Sequence, residues 1–85
     1  MEKDSKHYKQ LYYRSIHRGC KETDLLFGRF AETELAGLTR DEVKEYETLL
    51  EADDSNIWKW FTGLMPLPRE FDNAVWQKMK RANHQ

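Results

Sequence analysis

With 85 residues the chain has room for a single domain, near the size below which a hydrophobic core seldom suffices without disulfides or a metal. Aromatic residues make up 13% of it, including Trp58, Trp60 and Trp76, so a few large side chains must supply much of the buried area. A net charge of −1 leaves no overall electrostatic footprint for nucleic acid, and one cysteine, Cys20, excludes an internal disulfide and suits a reducing compartment.

The segment Met1 to Gln10 has no apolar signal core and carries acids that an import presequence avoids. No apolar run nears the roughly 20 residues needed to span a bilayer, so the expectation is a soluble, unprocessed protein with no membrane insertion. Tyr8, Leu11, Tyr12 and Ile16 recur at the spacing of one helical face and predict a first helix from about His7 to Arg18. Gly19 can take the left-handed conformation that closes it. Thr23 is the expected N-cap of a second helix, with Asp24 in the first turn, where an acid favours the helix dipole. Phe27, Phe30, Ala31 and Leu35 form its apolar face. Gly28 inside that helix costs about 1 kcal/mol relative to alanine and suggests close approach of another backbone.

A third helix opens at Leu38-Thr39-Arg40-Asp41-Glu42-Val43, where Thr39 and Glu42 form a capping box flanked by the staple pair Leu38 and Val43. Val43, Tyr46, Leu49 and Leu50 give it a buried stripe. Asp54 is expected to cap a short fourth helix with Ile57, Trp60, Phe61 and Leu64 inward and Gly63 as its stop. Pro66-Leu67-Pro68 breaks the chain before a last helix with Phe71, Ala74, Val75 and Met79 inward. Trp58 and Trp76 lie off the main stripes, either covering a neighbouring helix or forming an exposed apolar patch. No sustained period-two alternation and no internal repeat occurs. The expected fold is all-α: a compact five-helix bundle forming one domain over 1–85, with 1–6 flexible and 83–85 frayed.

Chemistry concentrates in the turn Arg18-Gly19-Cys20-Lys21-Glu22. Read plainly, Arg18 and Glu22 are an exposed ion pair contributing about 0–1 kcal/mol. Read functionally, Gly19 lets a partner backbone approach while Arg18 offers a forked, charge-assisted contact. His7, His17, His84 and Cys20 lack the spacing of a metal site, and no histidine is placed to activate Cys20 as a nucleophile. Asp53 and Asp54 could be an acid pair, but a helix cap accounts for Asp54. These readings argue against an enzyme.

The combination Arg18-Gly19-x-x-Glu22 followed by Asp24, then Leu49-Leu50-Glu51-x-Asp53-Asp54 with Trp60, resembles the succinate dehydrogenase flavinylation factors, also called assembly factors, over nearly the whole chain. Ser55 stands where that family commonly has proline, and Ile57 and Phe61 where it usually has leucine. The resemblance implies a chaperone-like protein that binds the flavoprotein subunit of succinate dehydrogenase and promotes covalent attachment of FAD to a histidine of that subunit. The bond-forming groups would belong to the partner, and the chain would carry no cofactor of its own. Arg18 and Glu22 would contact the partner, Gly19 would permit the approach, and Asp24 would help hold the second helix. Whether the flavoprotein of fumarate reductase is also served stays open.

The resemblance and composition together lead us to expect a monomer when free, in the bacterial cytoplasm, or in the mitochondrial matrix for a processed form. The rival reading is a helical adaptor or nucleic-acid-binding module with the second helix as reader. Residues 24–36 oppose the latter, since Arg29 stands alone against Asp24, Glu32 and Glu34.

Overall fold

In a computed structural model, which describes residues 2–84, the helices begin where side chains or charges meet their free N–H groups. Ser5 Oγ accepts the Tyr8 N–H at 3.0 Å and opens α1 (Lys6–Ile16). The capping box opens α3 (Arg40–Leu50): Thr39 Oγ1 accepts from the Glu42 N–H and Glu42 Oε1 from the Thr39 N–H, with Leu38 and Val43 both buried. Asn73 Oδ1 accepts the Trp76 N–H and opens α5 (Ala74–Ala82). The remaining two are α2 (Lys21–Thr33) and α4 (Asp54–Thr62), with short 3-10 turns at Leu35–Gly37 and Arg69–Phe71. Five α-helices and no strand occur among the described residues, as the periodicities predict.

Two expected caps are corrected. α2 starts two residues before Thr23, which is fully buried in its first turn and donates its hydroxyl to the Cys20 carbonyl at 3.3 Å. Asp53, not Asp54, occupies the N-cap position of α4, and its side chain makes no capping bond. Gly63 (φ +83°) is the left-handed C-cap of α4, as expected, whereas α1 ends at Ile16 with His17 as its C-cap, and Gly19 (φ +88°) turns the chain two residues beyond that cap instead of closing the helix.

α2 is the central helix, packed on α1, α4 and α5. Phe27 and Phe30 from α2 meet Tyr46 from α3, the first edge-on at 6.0 Å and the second stacked at 4.5 Å between centroids. All three are fully buried. The Tyr46 hydroxyl lies 2.5 Å from Ser15 Oγ, which is itself 2.7 Å from the Leu11 carbonyl. A carbonyl only accepts, so Ser15 donates to Leu11 and Tyr46 donates to Ser15. Burial pushes the Tyr46 phenol well above its ordinary range, with the Ser15 bond opposing.

Gly28 has no backbone pressed against it. A Cβ there would meet Ile16 Cγ2 of α1 at 3.9 Å, an ordinary contact. The inward face expected for α4 is also narrower than its spacing suggests. Ile57 is fully buried, Trp60 and Phe61 are half-buried, and Leu64 is 74% exposed because the helix has already ended at Gly63. Trp76 is the buried tryptophan, with Phe61 edge-on to it at 6.2 Å, while Trp60 lies 5.0 Å from Phe71 in the 3-10 turn. Ala74, expected inward, is exposed. Near the C-terminus, in the stretch expected to fray, Asn83 is buried and donates through Nδ2 to the Leu26 and Met79 carbonyls at 3.1 and 3.0 Å. Gln85 and Met1, at the ends expected to be loose, lie outside the described residues.

Candidate functional site

The turn between α1 and α2 is built around Arg18. α1 ends at Ile16, and its chain must reverse within four residues to start α2, which the positive φ of Gly19 allows. Across that reversal the Arg18 main-chain N–H donates to Asp24 Oδ1 at 2.6 Å, tying the turn to the first turn of α2. Asp24 therefore braces the turn through the backbone.

The Arg18 side chain points inward. Its Nε donates to Asp54 Oδ1 at 2.8 Å, Nη1 donates to the Leu50 carbonyl, and Nη2 donates to the Ala52 carbonyl at 2.9 Å. Its guanidinium carbon sits 4.7 Å from the centre of the Phe27 ring, a favourable cation–π arrangement. Leu50 closes α3, and the last carbonyls of a helix have no partner within it. A cation is favoured at that negative end, and Asp54 is favoured in the first turn of α4. One guanidinium thus ties the turn after α1 to the end of α3 and the start of α4. The two stretches that stand out in the sequence, the Arg-Gly turn and the acidic junction, are one structural unit.

The exposed Arg18–Glu22 pair is corrected on this geometry. The Arg18 side chain is only 9% exposed and its ion-pair partner is Asp54, 36 residues on. Asp54 is accordingly an arginine acceptor and not a cap. Glu22 instead receives the Cys20 thiol at 3.1 Å. That thiol bond first, then the Glu22 backbone N–H, hold its carboxyl below the usual range. It is fully ionised at neutral pH. Gly19, Lys21 and Glu22 are exposed, so the outer face of the turn is a glycine flanked by charges and its inner face is closed.

Beside Glu22 runs an open groove of about 420 Å³ between α2 and α4, bordered by Leu25 and Trp58, which are 54% and 36% exposed. Spacing alone left Trp58 between covering and exposed roles. It lies at the surface, and Trp76 covers. Among the described residues no three His, Cys, Asp or Glu side chains converge as a metal site, and no helix is long and apolar enough to cross a membrane.

Fold and site together define a small all-helical protein that presents a turn braced from behind by an inward-facing arginine. Residues 9–83 match the family described as flavinator of succinate dehydrogenase, and the chain belongs to that family. It is 35% identical over 71 residues to the FAD assembly factor SdhE of Acetobacter pasteurianus, covering 84% of this chain and 65% of that one. It is 37% identical over 67 residues to the mitochondrial succinate dehydrogenase assembly factor 2 of Dictyostelium discoideum, covering 79% and 48%. The protein of the same name from Debaryomyces hansenii is 40% identical over 68 residues, covering 76% and 48%. The chain thus spans between about half and about two thirds of the length of these relatives.

Proposed function

We propose that this protein is an assembly factor that binds the flavoprotein subunit of succinate dehydrogenase and promotes covalent attachment of FAD to it. The observation that carries the reading is the bracing of the turn by Arg18, which presents Gly19 and Glu22 as a preformed contact surface. A preorganised surface avoids the ordering cost that weakens flexible contacts. Gly19 has open space beside its Cα, so a partner backbone can approach there. Glu22 offers an ionised carboxylate next to it. Arg18 and Asp24 belong to the site as positioning residues, acting through the shape of the turn.

The bond-forming groups belong to the partner and its FAD, and this chain holds no cofactor. Its contribution is order. Holding the accepting histidine and the isoalloxazine ring in reacting geometry can remove up to roughly 7–11 kcal/mol of a barrier. The place of action is the bacterial cytoplasm or the mitochondrial matrix, wherever that flavoprotein matures.

The test is in-gel flavin fluorescence of the denatured flavoprotein from cells lacking their native factor. Expression of this chain is expected to raise the fluorescence, and Glu22→Ala is expected to lower it while leaving the protein's melting curve unchanged. Fluorescence that stays at background with the unaltered chain overturns the function. Full fluorescence with Glu22→Ala removes that carboxylate from the site.

A further inference from the structure

The groove beside the turn carries a more specific statement about the partner. Lys21, Leu25 and Arg29 are spaced i, i+4 and i+8 along α2 and so form one stripe, an aliphatic side chain between two cations. Trp58 and Phe61 of α4 form the opposite wall, and Asn83 lies at the base. Arg14, Arg18, Lys78 and Arg81 are each in an ion pair with a carboxylate, whereas among the described residues Lys21 and Arg29 make no ion pair within 4 Å, and the charge of Lys21 acts only at longer range on Glu22 beside it. Asn83 is 8% exposed and its Nδ2 serves two carbonyls, which fixes the orientation of the amide because a carbonyl cannot donate. Its Oδ1 is left buried with no partner.

On the reading that the flavoprotein is the partner, we infer that this groove receives an acidic segment of that subunit, with an apolar side chain seated between Leu25 and Trp58 and carboxylates paired to Lys21 and Arg29. Two observations favour this occupant over a basic or purely apolar one. The groove carries two cations, Lys21 and Arg29, against the one carboxylate of Glu22, so its net charge is positive and favours carboxylates over a basic chain. Half-exposed leucine and tryptophan walls match the apolar centre and charged rim of protein contacts. Glu22 lines the same groove, so the contact continues from the turn.

The experiment is isothermal titration calorimetry of the whole chain against the flavoprotein subunit, at low and raised salt. Leu25→Glu places a charge at the apolar centre and is expected to weaken binding at least about tenfold. Lys21→Glu with Arg29→Glu is expected to weaken it by a similar factor and to flatten its salt dependence. Lys44→Glu, an exposed charge reversal on α3, is the control and leaves the affinity unchanged. All altered side chains are solvent-facing, so circular dichroism melts stay close to that of the parent. If the parent binds and both groove variants bind equally well, the groove is not the contact and the function stands. Tighter binding by the double reversal means a basic occupant and overturns the inference. A parent chain that shows no binding overturns the inference and the function together.

Discussion

Arg18→Ala distinguishes a structural arginine from an exposed one. An exposed turn arginine should be silent, within about 0.5 kcal/mol of the parent. Here the side chain is 9% exposed, and its loss leaves the Asp54 carboxylate and the Leu50 and Ala52 carbonyls without their donor. Removing one member of a buried pair costs about 3–5 kcal/mol. Asp54 is 21% exposed, and the start of α4 still favours its charge, so water and the helix dipole recover part of that. About 3 kcal/mol remains. For a domain of this size each kcal/mol moves the thermal midpoint by about 4–8 °C, so a fall of more than ten degrees is expected in a circular dichroism melt. Arg18→Lys restores charge but not the fork that serves three acceptors, and should recover less than half of the loss. A double-mutant cycle with Asp54→Asn should show a coupling above about 1 kcal/mol. An Arg18→Ala midpoint within two or three degrees of the parent would refute the bracing role, and with it the argument that the turn is preorganised.

Thr39→Ala should cost about 1 kcal/mol by urea unfolding, since it removes one arm of the capping box while Lys78 still holds Glu42 at 2.8 Å. Gly28→Ala should raise stability by about 0.5–1 kcal/mol, because a methyl group there meets only Ile16 at ordinary contact distance; a fall in the midpoint would show that the backbone needs glycine. Gly19→Ala should cost about 1–2 kcal/mol, as the residue sits at φ +88°, and an unchanged melt would place the turn in another conformation. Tyr46 gives an alkaline signature. Its folded phenol titrates above the unfolded one, so its contribution is complete below the ordinary phenol range and is lost as pH rises beyond it. Unfolding midpoints measured upward from neutral pH should fall steeply past that range, and Tyr46→Phe should flatten the fall.

The parts of this molecule legible in its sequence are those decided within a few residues. The Thr39–Glu42 box, the left-handed end at Gly63, the positive φ at Gly19 and the break at Pro66-Leu67-Pro68 depend on local backbone geometry, and the structure has them where the residues imply. The apolar spacings likewise determined five helices and most of the core, Phe27, Phe30, Tyr46, Leu49 and Leu50 included. Local chemistry misled where two short-range options were equal: Thr23 looks like a cap, but the turn is braced by Asp24 on the Arg18 N–H, and the helix starts earlier.

What only the tertiary structure decided is which surfaces meet. A helical face on α4 does not say how far a neighbour extends, so Trp60 and Phe61 stay at the margin, Leu64 faces water, and Trp76 fills the core from α5. The same holds for Arg18. In the sequence its charge has Glu22 four residues away and no visible competitor, while Asp54 reads as a cap. Folding brings the end of α3 and the start of α4 against the turn, and the guanidinium then finds two unpaired carbonyls and a carboxylate in a sheltered place. Those partners outweigh an exposed pair because hydrogen bonds to a charge strengthen as water is excluded, and that exclusion belongs to the assembled helices.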